Sequence, residues 1–60
     1  MKVDDKVEIL VGRFAGKHCY IEGFSDDGRV IICAKGWVIS QKYDRAELKF
    51  IKRGESDANG

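Results

Sequence analysis

The stretch at residues 7–24, VEILVGRFAGKHCYIEGF, constrains the fold of this chain more than any other part of the sequence. Two runs of alternating apolar residues flank a segment that carries Gly12 and Gly16 with Phe14 between them. Alternation with a period of two predicts β-strands, and the two glycines suit positive φ or a close approach of two chain segments. The stretch therefore predicts a strand, a tight loop and a second strand, with Phe14 over the open end of a small barrel.

Three further strands are predicted after this stretch. The sequence SDDG at residues 25–28 is a strong turn signal, so the strands on either side of it should form a hairpin. The third strand carries VIIC, which is apolar on both faces, and this pattern is typical of a central strand or of one whose outer face meets a partner. A short reversal at Lys35-Gly36 leads into the fourth strand, where Trp37 and Ile39 share one side. The five predicted strands are residues 6–11, 18–24, 29–34, 37–41 and 48–52.

The length of the hairpin loop decides which residues face each other. A three-residue loop, 25–27, would place Cys19 opposite Cys33, and a two-residue loop, 26–27, would place Cys19 opposite Ala34. In either register we expect free thiols, because two cysteines are a poor disulfide framework and cytoplasmic thiols are kept reduced.

Residues 43–48 break the alternation before the last strand. Asp44 followed three residues later by Glu47 is a capping pattern, and it predicts a single 3₁₀ turn. Five short strands without proline or a longer helix predict an all-β fold, a small five-stranded antiparallel barrel over residues 1–52. Residues 53–60 are polar without a periodic apolar face, and they are predicted to be a disordered tail.

The core of this barrel follows from the alternating positions of the predicted strands. Apolar residues on the inner side of each strand should be buried, and Ile51 should close the barrel behind them. The predicted core residues are Val7, Ile9, Ile21, Val30, Ile32 and Leu48.

Length and charge restrict the possible functions. Sixty residues form one small domain and leave little room for an elaborate enzyme pocket. The net charge is only +1, so nucleic-acid binding would depend on where the cations lie. No apolar run approaches the roughly 18 to 20 residues that span a bilayer, and the first residues lack the apolar core of a secretory signal. We therefore expect a cytoplasmic protein without a membrane partner.

Neither catalysis nor a metal or other cofactor is expected. His18 and Cys19 are adjacent in a predicted strand and point to opposite faces, and no CxxC pair supplies further metal ligands. The only histidine thus adjoins a thiol that faces away from it, so no nucleophile with a base is predicted.

The pattern of the first loop and strands resembles the KOW motif, a strand-loop-strand unit of some large-subunit ribosomal proteins and transcription elongation factors. Glu47-Leu48 followed by Ile51 is similar to the last turn and strand of SH3-like barrels in that group. Cys19 stands where the family carries a glycine. The resemblance implies an SH3-like binding module without catalysis, whose first loop meets RNA or, in some members, a protein. It is carried by Val7, Ile9, Gly12, Phe14, Gly16, Lys17 and Ile21.

Two functions stay open on the sequence alone. In the first, the chain binds RNA or single-stranded DNA, with loop cations on phosphates and aromatic faces on unpaired bases. In the second, it is a docking module whose third and fourth strands pack on a protein or a second copy. Phe14 and Trp37 suit either base stacking or core packing. The candidate nucleic-acid-binding residues are Arg13, Phe14, Lys17, His18, Lys35, Trp37, Lys42 and Tyr43.

Overall fold

The computed structural model describes residues 1–54, and they form an all-β fold with one antiparallel sheet. The strands pair in the order β4-β3-β2-β1-β5, and within residues 1–54 no pairing joins β4 to β5. The sheet is therefore not closed, and the barrel stays a prediction. The strands are β1 Lys6–Ile9, β2 His18–Phe24, β3 Val30–Cys33, β4 Gln41–Tyr43 and β5 Leu48–Lys52, with 3₁₀ turns at Gly12–Phe14 and Arg45–Glu47.

The core lies on one face of this sheet, and the six predicted core residues are all buried. Cys19 and Ala34 complete it as small apolar side chains. Ile51 is only partly buried. Phe14, Trp37 and Tyr43 are half-buried and pack against the rim of the core. The alternation of the strands thus located the inner face correctly.

Two strand boundaries differ from the prediction. β1 ends at Ile9 rather than at residue 11, because the Leu10 N–H bonds to the Glu47 carbonyl at 2.9 Å and the chain then turns into the 3₁₀ turn. β4 begins only at Gln41, since residues 37–40 form a loop instead of the predicted strand. The Trp37 N–H donates to the Ala34 carbonyl at 2.9 Å, which closes a turn where strand pairing was expected.

The other predicted elements agree closely with the structure. β2 and β5 have the predicted bounds, and β3 is shorter by one residue at each end. The single 3₁₀ turn before β5 is confirmed, and the Asp44 N–H donates to Glu47 Oε1 at 3.0 Å as its capping pattern requires. The 3₁₀ turn in the first loop was not predicted.

The β2–β3 hairpin has the register of the predicted two-residue loop at Tyr20 and Ile21, and it shifts by one residue nearer the turn. A bulge at Glu22 interrupts the pairing, and Cys33 lies opposite Tyr20. A Cys19–Cys33 pair is therefore wrong. The two-residue loop predicted the register of Tyr20 opposite Cys33, in which Cys19 would lie opposite Ala34. The turn itself is longer than two residues, and the bulge accounts for the difference. Both thiols are free, with Cys19 in the core and Cys33 half-buried on the other face.

The start of the chain and the end of β5 meet at a buried carboxylate. Asp5 accepts hydrogen bonds from the Lys2 N–H at 2.8 Å and the Gly54 N–H at 3.0 Å. A side chain at residue 54 would clash, because its Cβ would lie 2.7 Å from the Asp4 Cβ. Of the predicted tail, only residues 53 and 54 are described, and the rest lies outside the described residues. The described part holds no helix of the length and apolarity that a membrane crossing requires.

Candidate nucleic-acid interface

The β1–β2 loop has a shape fixed by its own backbone. Gly12 and Gly16 adopt φ of +78° and +93°, as the sequence predicted. The Gly16 N–H donates to the Ile9 carbonyl at 2.7 Å, and the Lys17 N–H donates to the Phe14 carbonyl at 2.9 Å. Because these bonds satisfy the backbone internally, the side chains of the loop are held in defined positions on the surface.

Arg13, Phe14 and Trp37 form one cluster that joins the β1–β2 loop to the β3–β4 loop. The ring centroids of Phe14 and Trp37 lie 5.0 Å apart with the planes tilted by 53°. The Arg13 guanidinium carbon lies 5.9 Å from the Phe14 centroid, within the range of a cation–π contact. Both rings also pack on the core and are half-buried, so part of each ring stays accessible to solvent.

Two of the loop cations are exposed and available to a ligand. Within residues 1–54, the ion pairs do not include Arg13 or Lys17. His18 differs, because its Nε2 lies 3.8 Å from Glu8 Oε1 on the neighbouring strand. The positive charge of the loop therefore comes from Arg13 and Lys17, and the Glu8 carboxylate offsets any charge on His18.

The remaining predicted site residues lie elsewhere. Lys35 lines a shallow pocket of about 400 Å³, together with Tyr20 and Cys33. Lys42 is exposed on β4 opposite Ile31. Tyr43 lies on the inner face and packs against the core. Lys35 thus lies in the same loop as Trp37, and Lys42 and Tyr43 lie on β4, but none of the three takes part in the ring and cation–π contacts that join Arg13, Phe14 and Trp37.

Val38 and Ile39, which we call the apolar tip, are not among the predicted nucleic-acid-binding residues, yet they are the most exposed large hydrophobic residues in residues 1–54. Val38 is 96% exposed and Ile39 71%, although they were expected in a paired strand. One signal was visible in the sequence: residues 34–43, AKGWVISQKY, contain two lysines and no acid. A solvent-exposed aliphatic pair beside a tryptophan and cations is unusual for a surface loop.

The burial of Cys19 affects both the reactivity of its thiol and the comparison with the KOW motif. Burial raises the pKa of the Cys19 thiol, which disfavours the nucleophilic thiolate. Its side chain faces the core, so the residue that departs from the KOW pattern does not change the surface of the loop. Among the described residues, no three His, Cys, Asp or Glu side chains are grouped so that they could hold a metal ion.

No protein-family model matches the chain, and no curated protein or solved structure matches it either. The KOW resemblance therefore stays a prediction made from the residues named above.

Proposed function

We propose that this chain is a small non-catalytic module that binds RNA or single-stranded DNA through the β1–β2 loop and the neighbouring aromatic pair. The observation that carries the proposal is the position of the Phe14 ring, which lies beneath the Arg13 guanidinium and against Trp37, so that a cation and two aromatic rings come to one place. Cations supply the sequence-independent attraction to phosphates, and aromatic faces supply stacking for unpaired bases.

A second function is supported by a different observation. Within residues 1–54 β4 is an edge strand, and only Ser40 separates it from the exposed apolar side chains of Val38 and Ile39. An unpaired edge next to apolar residues suits a docking module that adds a strand from a protein or a second copy. Lys42 at the centre of β4 weakens the version with a second copy, since antiparallel self-pairing about this residue would set lysine against lysine.

A salt titration separates the two functions. Binding of a fluorescent single-stranded RNA and a DNA of the same sequence is measured at several salt concentrations. Replacing Arg13 and Lys17 by Ala should make the slope of log K against log salt shallower by somewhat under two units, because each phosphate contact contributes about 0.7 to 0.9. The matched control is Lys52→Ala with Arg53→Ala, which removes the same charges at the end of β5 and should leave the slope unchanged.

Trp37→Ala tests the aromatic part of the proposal. Loss of a stacking face should weaken single-strand binding by about 1 to 3 kcal/mol with little change in salt slope. Trp37 also supports Phe14, so the circular dichroism spectrum and the melting curve of the variant must show that it is folded. If the Arg13/Lys17 variant binds as the parent does, or the parent binds neither strand at low salt, the docking function replaces this proposal.

A further inference from the structure

The apolar tip is not explained by cations and stacking rings alone. Val38 and Ile39 are β-branched aliphatics, which offer neither a flat face for stacking nor a hydrogen bond. They are nevertheless the two most exposed of the large hydrophobic residues in residues 1–54. A ligand that uses them must present an apolar surface at the end of this loop.

The tip is held out by fixed points on both sides. Before it, Trp37 is anchored by its N–H bond to the Ala34 carbonyl and by the Phe14 ring. After it, the Ser40 hydroxyl donates to Glu22 Oε1, and β4 begins at the next residue. Only two residues lie between these anchors, and their branched side chains have few rotamers. The loop therefore presents a stiff apolar projection.

The position of the tip relative to the cations indicates its ligand. The Arg13 guanidinium lies over Phe14, and Phe14 lies against Trp37, which directly precedes the tip. A strand whose phosphates meet Arg13 and Lys17 would thus carry its bases past Trp37 and the tip. In proteins that bind the minor groove of duplex DNA, apolar side chains near cations insert between neighbouring bases and unstack them. The faces of bases are likewise the apolar surface that a single strand offers.

We propose that Val38 and Ile39 insert between neighbouring bases of the bound single strand and unstack them, an inference that rests on the proposed function. Trp37 then stacks on the base at one side of the gap, and Arg13 holds the adjacent phosphate. The strand is bound in a locally opened form, and strands whose bases separate easily bind better than strongly stacked ones.

The test uses an oligodeoxyadenylate of about 12 nucleotides, within the usual range of site sizes, with 2-aminopurine at its centre. Stacking on adenine quenches 2-aminopurine, so insertion should raise its fluorescence when the parent protein saturates the strand. Val38→Ser with Ile39→Ser keeps every cation and Trp37. It should bind about tenfold more weakly, the factor that corresponds to 1.4 kcal/mol, and produce little fluorescence rise at saturation. Val3→Ser is the matched control, since Val3 is an exposed valine outside both loops.

The outcomes are distinguishable. If the parent binds neither single-stranded RNA nor single-stranded DNA at low salt, the proposed function is wrong and the insertion is wrong with it. If the parent binds with a salt-dependent affinity but the tip variant has the same affinity and fluorescence rise, only the insertion is overturned. A fluorescence with the parent that is no higher than with the tip variant also overturns it, because both proteins keep Trp37 and the tip then does not separate the bases. A parent dimer that the tip variant abolishes would assign the tip to a second copy.

Discussion

The two connections at either end of β3 are built from opposite kinds of residue. In the β2–β3 turn, residues 25–29, polar groups form hydrogen bonds with one another: the Ser25 hydroxyl donates to Asp27, and the Arg29 N–H donates to Asp27 Oδ1 at 3.2 Å. The β3–β4 loop, residues 34–40, is anchored on both sides of its tip, at Trp37 and at Ser40, and holds two aliphatic side chains in solvent. A turn whose polar groups are satisfied internally serves the fold, whereas a loop that leaves apolar groups outside is the better place to look for a ligand.

The largest loss of stability is expected from a substitution in the core, because both connections are attached to strands that pack their inner faces there. Ile21 is 1% exposed and lies opposite Ile32 of β3. Ile21→Ala should lower the free energy of unfolding by about 2 to 5 kcal/mol, the usual cost of a large-to-small change in a core. Urea unfolding of the parent and the variant measures this loss. A change of less than about 0.5 kcal/mol, the range of surface substitutions, would mean that Ile21 does not support the sheet.

A smaller, pH-dependent effect is expected in the β2–β3 turn. The hydrogen bond from Ser25 and that from the Arg29 N–H hold the pKa of the Asp27 carboxyl below its ordinary value. A lowered folded-state pKa stabilises the fold above the unfolded pKa of about 3.9, and this contribution disappears as the pH falls through the folded value.

Asp27→Asn should therefore melt below the parent at pH 7 and approach it in acid. Asp26→Asn, at the exposed neighbouring position, is the control and should track the parent throughout. Melting curves between pH 2 and pH 7 give the comparison, over the range in which Asp carboxyls titrate. A gap between Asp27→Asn and the parent that does not narrow in acid would show that the carboxylate charge is not what stabilises the turn.

The smallest effect on stability is expected at the apolar tip. Val38→Ser with Ile39→Ser should change the free energy of unfolding by no more than about 0.5 kcal/mol, since nearly exposed side chains lose little on truncation. Urea unfolding again provides the measurement. Destabilisation as large as that of Ile21→Ala would mean that the tip stabilises the fold. The β3–β4 loop would then not differ in this respect from the β2–β3 turn.

Much of the fold could be predicted because the inner face of each strand alternates in hydrophobicity. The turn at residues 25–28, the 3₁₀ turn before β5 and the six core residues all followed from local patterns. The bulge at Glu22 could not be predicted, because the residues of a strand do not show by their type that one of them is left unpaired. The two-residue hairpin loop did predict Tyr20 opposite Cys33, but not the shift in register between Ile21 and Gly23.

The candidate site was predictable only in part. The first loop was located from its glycines and cations, and its backbone has the predicted form. The contact between Phe14 and Trp37 joins residues 23 positions apart in the sequence, and no local pattern indicates such a pairing. Trp37, Val38 and Ile39 also have strong β-propensity, so they were assigned to a strand, although the bond from the Trp37 N–H to the Ala34 carbonyl closes a turn there.

The buried carboxylate of Asp5 has a consequence for the order of folding. Its hydrogen bond to Gly54 connects positions 49 residues apart, and closing so long a loop costs more chain entropy than forming a local turn. The β2–β3 hairpin can therefore form early, whereas the pairing of β1 with β5 waits for distant segments to meet. Native-state hydrogen exchange should find the amides of β5 less protected than those of β2, and more so in acid, where a protonated Asp5 holds Gly54 less tightly.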